Sequence, residues 1–342
     1  GQRFNNLTVG PQGTLAQGEL AGTTLNQGTV SDSFIPLGST LTGGILTGQV
    51  MNQGTLNDIE FQGTQLTGGL LSGQIRVTRQ GILYNVRLLA KTHLVGGFLK
   101  GRIEGDTVNP PLLEGVTVQH DGYVNNVILG DDVENSGTLA NFAFRGNLLR
   151  GGKLAGKITV TGKGAFQNVS LAPDTKLQSV RLKGKIKGDA NAPALLDSLT
   201  IENDGEVENV IINQNVTNKG TIANAEFRGT AMEGGRLAGT IRNTQAGTFK
   251  DIRLAPNASL IGGNIEGQIF GESADEPALL EDVRIASGSF LENVMIGNNV
   301  TFPKEVKFGV HVRFLKMMVG RYYYWDGRGQ WLRDMTFAED DY

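Results

Sequence analysis

The runs GTLANFAF at 137–144 and GGKLAGKI at 151–158 decide the fold of this chain. In the first, Leu139 and Phe142 are three residues apart, whereas Phe142 and Phe144 are two apart. A strand sends successive side chains to opposite faces, so unbroken alternation cannot bury all three. A bend between Leu139 and Phe142 restores the parity. Asn141 stands there, one of the few residue types that tolerate left-handed backbone. The second run continues into Lys157-Ile158-Thr159-Val160, which alternates and uses β-branched residues as a strand with one buried face does.

Both patterns recur. The diglycine pattern starts at Gly43, Gly68, Gly96, Gly151, Gly234 and Gly262, with a degenerate copy at Ser179. The other starts at Gly54, Gly81, Gly122, Gly137, Gly164, Gly205, Gly220 and Gly247, and equivalent copies lie 83 residues apart. Three superrepeats follow, 54–136, 137–219 and 220–302, without an insertion or deletion. Such register is what a stack of layers requires, because each layer must match the cross-section of the last. Dividing the superrepeat by three gives roughly 28 residues, inside the window of repeat architectures. The expected fold is all-β: a parallel β-solenoid of about eleven coils, three to each superrepeat. A narrower coil of about 14 residues, one pattern per turn, is the alternative; the wider coil is expected because the patterns differ and it buries more core per layer. Helical repeats are disfavoured, since no unit spaces its apolar residues at i, i+3, i+4, i+7 and glycine recurs every few positions.

The bend slot of the first pattern is filled by Asp58, Asn85, Gly115, Asn126, Asn141, Asn168, Ser198, Asn209, Asn224, Asp251, Asp282 and Asn293. All but Ser198 favour left-handed backbone, and these are the expected structural corners. A second slot, Gly48, Gly73, Gly101, Gly156, Gly184, Gly239 and Gly267, marks another corner or an inward position too tight for a side chain.

Composition narrows the function. Glycine is 49 of 342 residues, about twice the usual ~7%, with only 9 prolines, so the chain is neither collagen-like nor low-complexity. The net charge of −3 gives no lead toward nucleic acid, and no apolar run approaches the ~20 residues of a membrane helix. With no cysteine, disulfides and thiolate-held metals are out of reach. The three histidines, His93, His120 and His311, are far apart in sequence, and the Walker, dinucleotide, HExxH and calcium β-roll motifs are absent. Asp131 and Asp132 give way 83 residues later to Gln214 and Asn215. An acidic slot at Asp106, Asp189 and Glu272 comes once per superrepeat, about 14 Å apart by coil spacing, too far to share one ion and expected as solvated turn residues. No catalytic residue, cofactor or metal site is therefore expected.

The two ends differ. The repeat begins at once with Phe4, Leu7 and Val9, and such an uncapped first layer is expected either to be cut from a longer protein or to be covered by another subunit. Residues 303–342 read as a separate aromatic β module: ten of the 23 aromatic residues fall from Phe302 onward. There Val306, Phe308, Val310, Val312 and Phe314 alternate, and Tyr322-Tyr323-Tyr324-Trp325 and Gln330-Trp331-Leu332 flank a hairpin-like turn at Asp326–Gly329. Glu339-Asp340-Asp341 reads as a solvated tail. The module is a cap, a docking end for the next copy, or a sugar platform built on Tyr322, Tyr324, Trp325 and Trp331. Head-to-tail docking would join Phe4, Leu7 and Val9 of one copy to Phe308, Val310, Val312, Tyr322, Tyr324, Trp325 and Trp331 of another.

GGKLAGKI, GTLANFAF and the Asn corner slots resemble bacterial β-solenoid repeat proteins of the cell surface, similar in kind to filamentous-haemagglutinin-like adhesins and large extracellular repeat proteins. The resemblance covers residues 4–302. It implies an exported protein engaged in adhesion, sheath or fibre formation. The expected role is noncatalytic and structural: an extracellular fibre or surface layer built by copies of the chain stacking head to tail. The alternatives are an adhesin that binds polysaccharide and a polysaccharide-active β-helix enzyme.

Overall fold

A computed structural model describes residues 2–78 and 80–314, with the backbone of 323–325 and 331–333. Two compact units are present, Gly1–Thr175 and Lys176–Tyr342. Both are parallel β-solenoids, together about 18 turns, and no helix occurs among the described residues.

Each turn in the first unit contributes three short strands to three parallel ladders. The first ladder holds Gln49–Asn52, Gln65–Thr67, Ile82–Tyr84 and Phe98–Lys100. The second holds Thr40–Thr42, Thr55–Asn57, Leu70–Ser72 and Arg87–Leu88. In the third lie Ile45–Thr47, Glu60–Phe61, Gln74–Val77 and His93–Val95. Inward apolar residues make the core: Val50, Leu66, Leu83 and Leu99 are register partners on the first ladder, Leu41, Leu56, Leu71 and Leu88 on the second, all buried. Burying one such side chain contributes roughly 1.5–3 kcal/mol, and identical neighbours stack without gaps.

The turns are narrower than the sequence suggests. Register partners lie between 15 residues (Thr55 and Leu70) and 22 residues (Gln268 and Phe290) apart. Asn52 and Asn135, one superrepeat apart, stand five rungs apart on the first ladder, so the superrepeat holds five turns rather than three. The reason lies in how the two patterns stack. Leu139 of GTLANFAF pairs with Leu154 of GGKLAGKI, and Phe142 with Ile158. The two patterns thus lie on one another in successive turns, as GYVNNVIL also lies on GTLANFAF with Val124 opposite Leu139, instead of forming two sides of a wide coil.

Thr138–Phe144 runs unbroken through the second and third ladders, and Leu139, Phe142 and Phe144 are all buried. Asn141 between them has φ +47°, the bend that the parity demands. Phe144 packs against Phe166, ring centroids 5.4 Å apart; in the second unit Phe227 packs on Phe249 at 4.8 Å.

Parallel pairing continues beyond residue 302. Lys307–Phe308 pairs with Phe290–Glu292, and Arg313–Phe314 with Val294–Ile296. The alternation from Val306 to Phe314 is not one strand, because a turn at Val310–His311 interrupts it, with His311 at φ +54°. Tyr323–Trp325 and Trp331–Arg333 pair antiparallel, with Trp325 opposite Trp331.

Candidate functional site

The residues whose placement is most regular are those that bind one turn to the next. All twelve corner residues named above have φ between +47° and +60°, and the seven glycines of the second slot between +58° and +79°. The two slots meet. Asp58 Oδ1 accepts a hydrogen bond from Gln74 N at 2.8 Å, Asn85 Oδ1 from Arg102 N at 2.8 Å, Asn141 Oδ1 from Lys157 N at 3.0 Å, and Asp251 Oδ1 from Gln268 N at 2.7 Å. The donor in each case follows the slot glycine of the next turn. A Cβ at Gly73, Gly101 or Gly156 would run into that corner side chain, so glycine is required there by close approach as well as by φ. Asn6 and Asp32 do the same for Thr23 N and Gln49 N. Both escaped the sequence pattern, though their 16-residue distance to Gly22 and Gly48 could have revealed them.

A second rung lies inside. Asn52 Oδ1 accepts from Gly54 N at 3.0 Å, and its Nδ2 donates to the carbonyls of Gly68 and Leu70 at 3.4 Å. Asn135 repeats this with Gly137 N at 3.0 Å and Gly151 O at 3.2 Å. Both are buried, and the second glycine of the diglycine pair leaves room for the carboxamide. Main-chain groups inside the stack thus find partners where no strand supplies them.

The acidic slot divides in role. Asp106 Oδ1 accepts from Val108 N and Asn109 N at 3.0 and 2.7 Å, and those backbone bonds hold its carboxyl below the ordinary range. Asp189 likewise takes Asn191 N and Ala192 N, each residue shaping its own loop. Glu272 instead grips Arg236 through both carboxylate oxygens at 2.9–3.0 Å. His93 Nε2 lies 2.8 Å from Glu114 Oε2 at the surface. Among the described residues no group of three or more His, Cys, Asp or Glu is arranged to hold a metal ion. Two open grooves mark the first unit: about 740 Å³ around Asp131, Glu134 and Arg150, and about 620 Å³ around Leu37, Arg87 and Glu104.

The residues expected at subunit contacts are scattered. Phe4 and Leu7 are half-buried and Val9 is buried in the first unit. Phe308 is buried between Phe302 and Phe314 in edge-on contacts, Val312 is half-buried and Val310 is 56% exposed in its turn. Tyr324, Trp325 and Trp331 lie in the antiparallel pair, while Tyr322, the turn Asp326–Gly329 and the acidic tail lie outside the described residues. The pattern also missed outward rings on the first ladder: Phe34, Tyr84 and Phe98 flank inward Ile35, Leu83 and Leu99 and stay half-exposed. Compared with protein-family models, curated proteins and solved structures, the chain matches none.

Proposed function

We propose that this chain is a noncatalytic structural protein of the cell exterior that forms, or belongs to, a fibre or surface layer by head-to-tail stacking. One observation carries the proposal: recurring polar side chains, Asp58, Asn85, Asn141 and Asp251 at the corners and Asn52 and Asn135 inside, bind neighbouring turns together. A protein that spends its recurring polar groups on turn-to-turn cohesion is built as a scaffold. A parallel rung at the edge of such a stack offers N–H and C=O groups in the same register, a template for another copy. Electron microscopy and fibre diffraction of concentrated protein test this. Filaments with an axial repeat near 4.8 Å are expected. Monodisperse particles alone, at every concentration, overturn it.

A second reading, polysaccharide adhesion, is favoured by the outward Phe34, Tyr84 and Phe98, since aromatic faces can stack on sugars. A glycan array with the native chain, with Tyr84→Ala/Phe98→Ala and with Trp325→Ala/Trp331→Ala separates the two. Sugar binding lost in a variant that still forms filaments assigns adhesion to those rings.

A further inference from the structure

In the first unit, the segments that carry the chain from the third ladder to the first sort their charges by turn. Asp131, Asp132 and Glu134 belong to one turn, Arg145 and Arg150 to the next, and Lys163 to the one after; all six are exposed. Glu134 and Arg150 are register partners on adjacent rungs, and both line the 740 Å³ groove. The sorting extends around the turns. Residues 103–144 hold seven Asp and Glu and no Lys or Arg, whereas 145–163 hold five Lys and Arg and no Asp or Glu.

The fold does not require these charges. One superrepeat later the same positions are Gln214, Asn215, Thr217, Arg228, Glu233 and Ala246; one earlier they are Gly48, Gln49, Met51, Gln62, Thr67 and Gln80. Asp131 does have a local task, accepting Asn147 N at 2.9 Å, but Gln214 does the same for Thr230 through its Oε1 without a charge. Around the acidic turns Glu104, Glu114 and Asp121 lie against Arg102, His93 and Lys100, and at the corner Arg150 Nε donates to the neutral Gln167 Oε1 at 3.1 Å. Asp131, Asp132, Glu134, Arg145 and Arg150 form no ion pair among the described residues.

Adjacent girdles of opposite sign are complementary to themselves when one copy is reversed. A two-fold axis between the two turns sets the acidic corner of each copy against the basic corner of the other, a closed isologous contact. We propose that this corner is a lateral interface at which a second copy of the chain docks side by side and antiparallel. The contact does not depend on head-to-tail stacking, which uses main-chain rungs rather than these side chains.

Sedimentation velocity of the full chain tests it at about 20 and about 500 mM NaCl, where the screening length falls from roughly 20 to roughly 4 Å. A dimer at low salt, weakened about tenfold or more at high salt, is expected. Two charge-reversed variants make the test specific: Arg145→Glu/Arg150→Glu/Lys163→Glu, and Asp132→Lys/Glu134→Lys with Asp131 kept for its local bond. Lysine suits the left-handed position of Asp132, since Lys91 already has φ +58°. Each variant alone should be monomeric, and an equimolar mixture should recover the dimer, with native far-UV circular dichroism and thermal midpoint throughout. A native chain that stays monomeric at low salt, variants that dimerise like the native chain, or folded variants that fail to recover pairing when mixed overturn the proposal. Retention of polylysine or heparin by a monomeric native chain also overturns it, assigning the charges to a foreign polyion. Filament growth in the same samples, read by microscopy, reports on head-to-tail stacking separately.

Discussion

Residues 134–167 of the first unit and 217–250 of the second are the same stretch of superrepeat, and they treat the first ladder differently. In the first unit Glu134–Asn135 pairs with Leu148–Arg150, which pairs with Ala165–Gln167. In the second, Ala231–Glu233 begins a separate four-stranded sheet with Thr248–Lys250, Asn264–Glu266 and Arg284–Ile285, and Thr217–Asn218 is not in it. The buried carboxamides follow suit: Asn135 is bonded at both ends, whereas Oδ1 and Nδ2 of the equally buried Asn218 have no partner. Yet the other two ladders coincide. Thr138–Phe144 lies on Lys153–Val160, and Thr221–Phe227 on Arg236–Asn243, with the same register shift at the corner. The corner and the aromatic core therefore set the turn, and the first ladder can lose a rung without changing it.

If that is right, the largest losses should be equal in the two regions. Phe144→Ala and Phe227→Ala should each cost about 3–5 kcal/mol in urea unfolding, because each ring is fully buried against a second ring. A much smaller loss at Phe227 would mean that the missing rung loosens the core as well. Gly156→Ala and Gly239→Ala should come next, at about 2 kcal/mol, since each forces a Cβ into left-handed backbone and against Asn141 or Asn224. Below these the regions should part. Asn135→Ala should cost about 1–3 kcal/mol by stranding Gly137 N and Gly151 O, and should speed exchange of the Gly137 amide. Asn218→Ala, which removes atoms with no partner, should change stability by less than about 0.5 kcal/mol or raise it. A full loss at Asn218 would break the comparison.

A gain should be obtainable in the second unit. Thr175 Oγ1 donates to Ala172 O at 2.8 Å and to Leu154 O at 3.3 Å, and Thr92 does the same one superrepeat earlier, but the third copy has Ala258. Ala258→Thr should stabilise by about 0.5–1.5 kcal/mol if the carbonyls of Ala255 and Leu237 accept the new hydroxyl. The smallest effect concerns Glu226, whose carboxyl the Arg228 guanidinium holds below its ordinary value of 4.5 through bonds of 2.7 and 2.9 Å. Because the folded value is depressed, this contribution is complete above about pH 4.5 and disappears as pH falls through the folded value. Both side chains are partly exposed, so it should amount to less than about 1 kcal/mol. Glu226→Gln should flatten acid unfolding of the second unit slightly, while the first unit, with Ala143 at that position, serves as its own control.

Which features the sequence revealed follows from how strongly each constrains residue type. Left-handed backbone admits few residues, so corners such as Asn141 and Asp251 stand out. The width of a turn left a weaker trace. First-ladder strands as short as Thr117–Val118 and Thr200–Ile201 bury a single residue each and carry no alternation to count. The corner-to-glycine bonds were implicit in a spacing of 15 or 16 residues, as from Asp58 to Gly73 and Asn85 to Gly101, but spacing alone does not say which atoms meet. Charge sorting around Glu134 and Arg150 was invisible to pattern matching because it straddles the junction of two superrepeats and does not recur.

The loop that Asp106 closes lies between two strands already anchored by the next turn, Arg102–Glu104 on Tyr123–Asn125 and Leu112–Glu114 on Ile128–Leu129. Its tip, Val108, is 81% exposed. Lengthening such a loop costs only about 0.6 kcal/mol per doubling. A peptide tag or an entire guest domain spliced between Thr107 and Val108 would therefore be carried outward at a defined height, making that loop a natural mounting point for cargo.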